Sequence, residues 1–274
     1  MSKTDAFPRP FFCTPCKTRR AVLQWRRLIG KGAALLTQRL HGLDALRGLT
    51  LVSMIAYHTC WDLVWMFGVN WRWYRSFGAY LWQQGICWTF ILLSGYCFRL
   101  GRRPYRRGLT VFFAGALVSA VTILLMPSNR VFFGVLSLLG ASMLLTALLQ
   151  PYLSRVPAAV GLPLSFALFL TCRHIPERAL LSFRLPAALY RNDFTACFGF
   201  PPSGFFSTDY FPLLPWLFLF WSGYYLYGVI RRPPPFLTET RLPVLNAMGR
   251  YSLWVYLLHQ PAIYALLSLM FRTS

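Results

Sequence analysis

Leu109-Thr110-Val111-Phe112-Phe113-Ala114-Gly115-Ala116-Leu117-Val118-Ser119-Ala120-Val121-Thr122-Ile123-Leu124-Leu125-Met126 is a run of eighteen residues without a charge. A hydrocarbon core about 30 Å thick takes about 20 mostly apolar residues of helix, so this stretch reads as a membrane span. Comparable runs lie at 43–67, 78–100, 131–150, 157–172, 209–230 and 244–271. The run at 157–172 is the weakest, being short and interrupted by Pro157 and Pro163. The expected fold is therefore all-α: a polytopic membrane helix bundle of about seven spans, with no internal repeat.

Composition agrees with that fold. Of 274 residues, 56% are hydrophobic and only 13% charged, where a soluble domain carries about 25% charged residues. Such a chain lacks the polar surface to wrap a core in water. That excludes a soluble enzyme, and the hydrophobicity excludes intrinsic disorder of the whole chain. Nineteen glycines and seven cysteines fit neither a collagen-like chain nor a disulfide scaffold.

The charge is lopsided, with 28 Lys and Arg against 7 Asp and Glu. Basic residues concentrate in cytoplasmic loops. With the N-terminus inside, eighteen fall on the cytoplasmic side, eight on the other, and Arg47 and Arg250 within spans. The expectation is a plasma (inner) membrane protein, N-terminus cytoplasmic and C-terminus outside. Membrane lipid is the expected partner of the positive charge, and nucleic acid is not.

Two domains are expected: a basic cytoplasmic tail, 1–42, and a transmembrane domain, 43–271. The tail holds nine basic residues and one acid, Asp5. It has no apolar run and cleavage site of a signal peptide. Residues 19–40, with Trp25, Leu28 and Ile29 among the cations, read either as an interfacial helix or as an unstructured tail attracted to anionic lipid. Cys13 and Cys16 form one C-x-x-C without the second ligand pair of a structural zinc site, and no metal is expected. The connection 173–208 is rich in Phe, Tyr and Pro, as an interfacial cap or part of an acceptor site would be.

Ionisable groups inside spans are expensive and mark function. The first span holds Asp44, Arg47, His58 and Asp62. His58 is a step of eleven residues from Arg47, about 20° past three full turns, so the two share a face roughly 16 Å apart along the axis. Asp62, four residues beyond His58, adjoins that face. This suits a transfer reaction: Arg47 pairs with phosphate, His58 takes a proton from a nucleophile, and Asp62 holds the imidazole. The structural reading has Asp44 capping, Arg47 snorkelling and His58 bonding a neighbouring helix.

The last span has a second cluster, Gly249-Arg250-Tyr251-Ser252 followed by Tyr256, His259, Gln260 and Pro261. Ser252 and His259 lie nearly two turns apart with Tyr256 between them. Pro261 frees the carbonyl of Leu257. Acceptor-side lining and helix-to-helix hydrogen bonding are both open readings for Ser252, Tyr256, His259 and Gln260. Gln83, Gln84 and Asp209 are further polar candidates, Asp209 also reading as an N-cap of the sixth span.

Leu43-Asp44-Ala45-Leu46-Arg47-Gly48 with His58 forms Arg-x10-His, which resembles membrane acyltransferases of the broad acyltransferase-3 type. Phe133-Gly134-Val135-Leu136-Ser137-Leu138-Leu139-Gly140, Asp209-Tyr210-Phe211-Pro212-Leu213-Leu214-Pro215-Trp216, and Met248-Gly249-Arg250-Tyr251-Ser252 through His259-Gln260-Pro261 are similar to bacterial members of one branch. That branch is the heparan-alpha-glucosaminide N-acetyltransferase catalytic-domain-like family, and the resemblance runs from about residue 42 to 271. It implies a membrane enzyme that takes acetyl-CoA from the cytoplasm and acetylates an acceptor across the membrane. In the lysosomal member the catalytic histidine follows the first span. Residues 68–77 here contain no His, and His58 matches the broader pattern instead.

Two functions follow as expectations. The first is an acyltransferase moving an acetyl or other acyl group from acyl-CoA to a glycan or other cell-envelope acceptor. Arg47 would hold the CoA phosphate and His58 and Asp62 perform the proton transfer. Ser252, Tyr256, His259, Gln260 and Asp209 would stand on the acceptor side, with acetyl-CoA as donor substrate and no bound cofactor. The second is a small-molecule transporter using the same intramembrane polar residues.

Overall fold

In the computed structural model the described residues are 40–230 and 242–272, with a few positions between them. They belong to one compact unit that begins at Leu40. The expected tail as far as Arg39, its surface helix and Cys13 and Cys16 lie outside the described residues.

Apolar runs without internal breakers fold as helices, and the punctuation sets their ends. Among the described residues the long helices are α1 (His41–Trp65), α2 (Phe77–Phe98), α3 (Pro104–Leu125), α4 (Val135–Leu153) and α5 (Ala158–Cys172). The connection that follows carries a two-stranded hairpin, β1 (Ala179–Leu180) with β2 (Phe183–Arg184), and one turn of helix, α6 (Asp193–Ala196). Then come α7 (Leu213–Val229), α8 (Pro243–Arg250) and α9 (Ser252–Arg272). Pro104 and Pro243 sit in the first turns of α3 and α8, where a missing N–H costs nothing.

Among the described residues four helices are long and apolar enough to cross a membrane: α3, α4, α5 with the 3-10 turn that extends it to Glu177, and α9. The first two helices are as long, but α1 carries Asp44, Arg47 and Asp62, and α2 carries Gln83 and Gln84. The seventeen residues of α7 begin at Leu213 rather than 209. The run 244–271 is two helices, because the chain leaves helical geometry at Tyr251. Pro163 and Pro261 lie inside α5 and α9 without ending them.

In lipid, helices gain little from hiding apolar side chains from one another, so close backbone approach at small residues drives packing. The bundle is built this way. A Cβ on Gly249 of α8 would overlap the Asp44 carbonyl oxygen of α1, and one on Gly48 of α1 would overlap that of Leu245. Gly95 of α2 and Gly223 of α7 form a second reciprocal pair. Ile91, Phe169, Leu219 and Phe220 fill the fully buried centre between α2, α5 and α7. At the rim, α3 leaves Phe113, Leu117, Leu124 and Leu125 exposed.

Candidate functional site

The α1–α8 glycine contact fixes Arg47. Its Nη1 donates to the Gly249 carbonyl at 3.3 Å and approaches Asp44 Oδ1 at 3.5 Å. Asp44 thus stands in the first turn of α1 as an ion partner, while Leu40 occupies the cap position. The guanidinium borders a cavity of about 390 Å³ enclosed by α1, α2, α3, α4, α8 and α9. Three other arginines line it: Arg106 and Arg107 from the first turn of α3, and Arg250 from the end of α8. Among the described residues no Asp or Glu lines it, the nearby carboxylate of Asp44 standing behind Arg47. Four arginines against the single carboxylate of Asp44 leave a partly apolar space net positive, and forked guanidinium donors match phosphate oxygens.

Away from the arginines, the cavity is walled by Leu136, Leu139 and Met143 of α4 and reaches Tyr256. The Tyr256 hydroxyl donates to Asp209 Oδ2 at 3.4 Å, and the same oxygen accepts the Val135 N–H at 3.1 Å. Asp209 therefore meets the N-terminus of α4, where a carboxylate is favoured, and does not cap α7, whose cap position is Pro212. Beside Asp209, Ser207 and Tyr210 line a second cavity of about 420 Å³ with Pro176, Arg178 and Phe205. Asp209 thus touches a residue that lines the first cavity, while its neighbours Ser207 and Tyr210 line the second.

One turn beyond Tyr256, α9 faces α1. The His58 and His259 rings lie 5.0 Å apart, edge to face. His259 is buried and its Nδ1 lies 2.5 Å from the Tyr256 carbonyl. Asp62 is fully buried, and its Oδ1 accepts Gln260 Nε2 at 2.6 Å. No hydrogen bond joins Asp62 to His58; the carboxylate's partner comes from the other helix.

The structure thus brings His58, Asp62, His259 and Gln260 into one seam, and Arg47, Ser252 and Tyr256 into one cavity. Ser252 stands at the arginine end, at the start of α9. Gln84 belongs elsewhere, accepting from Trp88 Nε1 and Arg173 Nη2 at 3.1 Å each. Sequence reasoning missed Arg106, Arg107 and Arg250. Arg250 carried a signal, since it shares with Arg47 the expense of an arginine within an apolar run. Arg106 and Arg107 counted only as loop charges.

Apolar helices of membrane length around a cationic cavity and an internal imidazole pair define a membrane protein with an intramembrane polar site. The family model described as "Heparan-alpha-glucosaminide N-acetyltransferase, catalytic" matches residues 39–261. The chain belongs to that family, and membership gives it a membrane acetyltransferase-type function. The matched residues include Arg47, His58, Asp62, the arginine-lined cavity, Asp209 and the α9 cluster through Gln260. No curated protein and no solved structure matches the chain.

Proposed function

We propose that the protein transfers an acetyl or other acyl group from acyl-CoA on the cytoplasmic side to a glycan or other cell-envelope acceptor across the membrane. The observation that carries this reading is the cavity lined by four arginines and, among the described residues, by no acid, which ends at Tyr256 one turn from two facing histidines. Coenzyme A carries its phosphates and its thioester at opposite ends of a flexible arm. The eleven-residue step from Arg47 to His58, about 16 Å of helix, separates the cations from the imidazoles in the same sense.

In this reading Arg47, with Arg106, Arg107 and Arg250, holds the phosphates by charge-assisted hydrogen bonds. The imidazole pair supplies the general base, with His58 at the spacing from Arg47 that the broader acyltransferase-3 pattern has. The thioester is already activated, so positioning and proton removal suffice. Asp62 stabilises the seam through Gln260. The chain crosses the membrane seven times, N-terminus inside and C-terminus outside. The arginine cavity lies beside the basic connection 99–107, at the end that this orientation makes cytoplasmic. The tail 1–42 adds attraction to anionic lipid.

Titration of detergent-purified protein with acetyl-CoA tests the proposal. Saturable binding that weakens with added salt is the expected result. No binding, together with proton-coupled solute uptake in vesicles, would favour a transporter.

A further inference from the structure

His259 and His58 face one another, yet their surroundings prepare them unequally. A carbonyl oxygen can only accept, so Nδ1 of His259, 2.5 Å from the Tyr256 carbonyl, carries the proton. The lone pair of that imidazole then belongs to Nε2. This atom is buried and has no hydrogen-bond partner among the described residues, as is true of Asp62 Oδ2 and Gln260 Oε1 in the same seam; buried polar atoms are usually paired, so the seam has acceptors to offer a donor from outside the fold. His58 makes no hydrogen bond among the described residues that would fix its tautomer. Its ring packs against His259 and Tyr57.

Asp62 takes a different place from the one its spacing to His58 suggests. Its Oδ1 holds Gln260 Nε2 at 2.6 Å, and Gln260 follows His259 directly in α9. Carboxylate and amide thereby pin the turn of α9 that carries the imidazole against α1. We infer that His259 is the proton-accepting member of the imidazole pair, oriented by the Tyr256 carbonyl, and that Asp62 is a positioning residue acting on it through Gln260. The inference rests on the acyl-transfer reading above and assigns the base within it.

The step balances without a further reactant. The acceptor's O–H or N–H bonds to Nε2. As its oxygen or nitrogen forms a bond to the thioester carbonyl carbon, the proton passes to Nε2, and the resulting imidazolium keeps its Nδ1–H on the Tyr256 carbonyl. The C–S bond then breaks with its electron pair on sulfur. The sulfur takes the proton from Nε2, leaving CoA thiol, the acylated acceptor and a neutral His259.

Two measurements test this on the full chain in lipid nanodiscs. In protein labelled with 15N-histidine, one-bond 15N–1H coupling should place the His259 proton on Nδ1, the signal being assigned by its loss in His259→Gln. A proton on Nε2 instead overturns the inference. In the second, thiol release from acetyl-CoA is followed with glucosamine as the probe nucleophile. His259→Ala should lower turnover by about 10²–10⁴-fold while acetyl-CoA affinity stays within about twofold of wild type. Added imidazole should restore part of the rate, more so for more basic substituted imidazoles, a response that loss of packing alone does not give. Asp62→Asn, which keeps an oxygen for Gln260, should retain more turnover than Asp62→Ala, and imidazole should rescue neither. Wild-type turnover in His259→Ala, or a folded variant that imidazole does not rescue, overturns the inference alone. A wild type that neither binds acetyl-CoA nor releases thiol overturns the acyl-transfer reading and the inference with it.

Discussion

Replacing Arg47 with alanine should weaken acetyl-CoA binding by roughly 10- to 150-fold. The guanidinium borders the arginine cavity, and among the described residues it meets the Gly249 carbonyl at 3.3 Å, Asp44 at 3.5 Å and the side chain of Cys97. Such partners hold the group in place without consuming its capacity for a shorter bond to phosphate. A hydrogen bond to a charged group contributes about 1.5–3 kcal/mol, and each 1.4 kcal/mol is tenfold in affinity, which gives the stated range. Arg47→Lys should recover only part of the loss, because an ammonium keeps the charge but not the forked geometry. The salt dependence of binding should become shallower in Arg47→Ala, since one cation has left the site. Isothermal titration on detergent-purified protein measures affinity, and thermal unfolding of the same preparations separates binding from folding. Unchanged affinity and salt dependence in a well-folded Arg47→Ala would refute the assignment of this cavity to phosphate.

Gly249→Ala should destabilise the protein by about 1–3 kcal/mol, the usual cost of forcing extra volume into a packed contact, because the new methyl meets the Asp44 carbonyl; a lowered melting temperature in detergent checks it. Reporter fusions at Arg102 should signal cytoplasm and fusions near Arg191 the outer side, and the opposite pair of signals would reverse the orientation. Deleting residues 1–38 should leave acetyl-CoA affinity unchanged while reducing association with anionic vesicles, measured on the same truncated protein by titration and by flotation.

Much of the helical framework was legible because hydrophobic runs and proline punctuation are local properties of the chain. The break at Tyr251 was not, since Gly249-Arg250-Tyr251 holds no proline to end a helix; backbone contact between Gly249 and Asp44, 205 residues earlier, accompanies it. The same limit applies to the site. Helical periodicity put Arg47, His58 and Asp62 on one stripe of α1, and that stripe does face the polar interior. Periodicity describes one helix at a time, however, and the partner of Asp62 comes from α9. Arg106 and Arg107 escaped for a related reason. Their charge was already accounted for by membrane orientation, and only the packing of α3 on α4 turns them toward a cavity.

The segment 207–210 has a mechanical consequence. Ser207 and Tyr210 border one cavity, while Asp209 between them accepts from Tyr256, which lines the other. The same carboxylate oxygen accepts the Val135 N–H at the start of α4. A displacement of Tyr256 is therefore felt at two places at once, the loop that Asp209 belongs to and the first turn of the helix it holds.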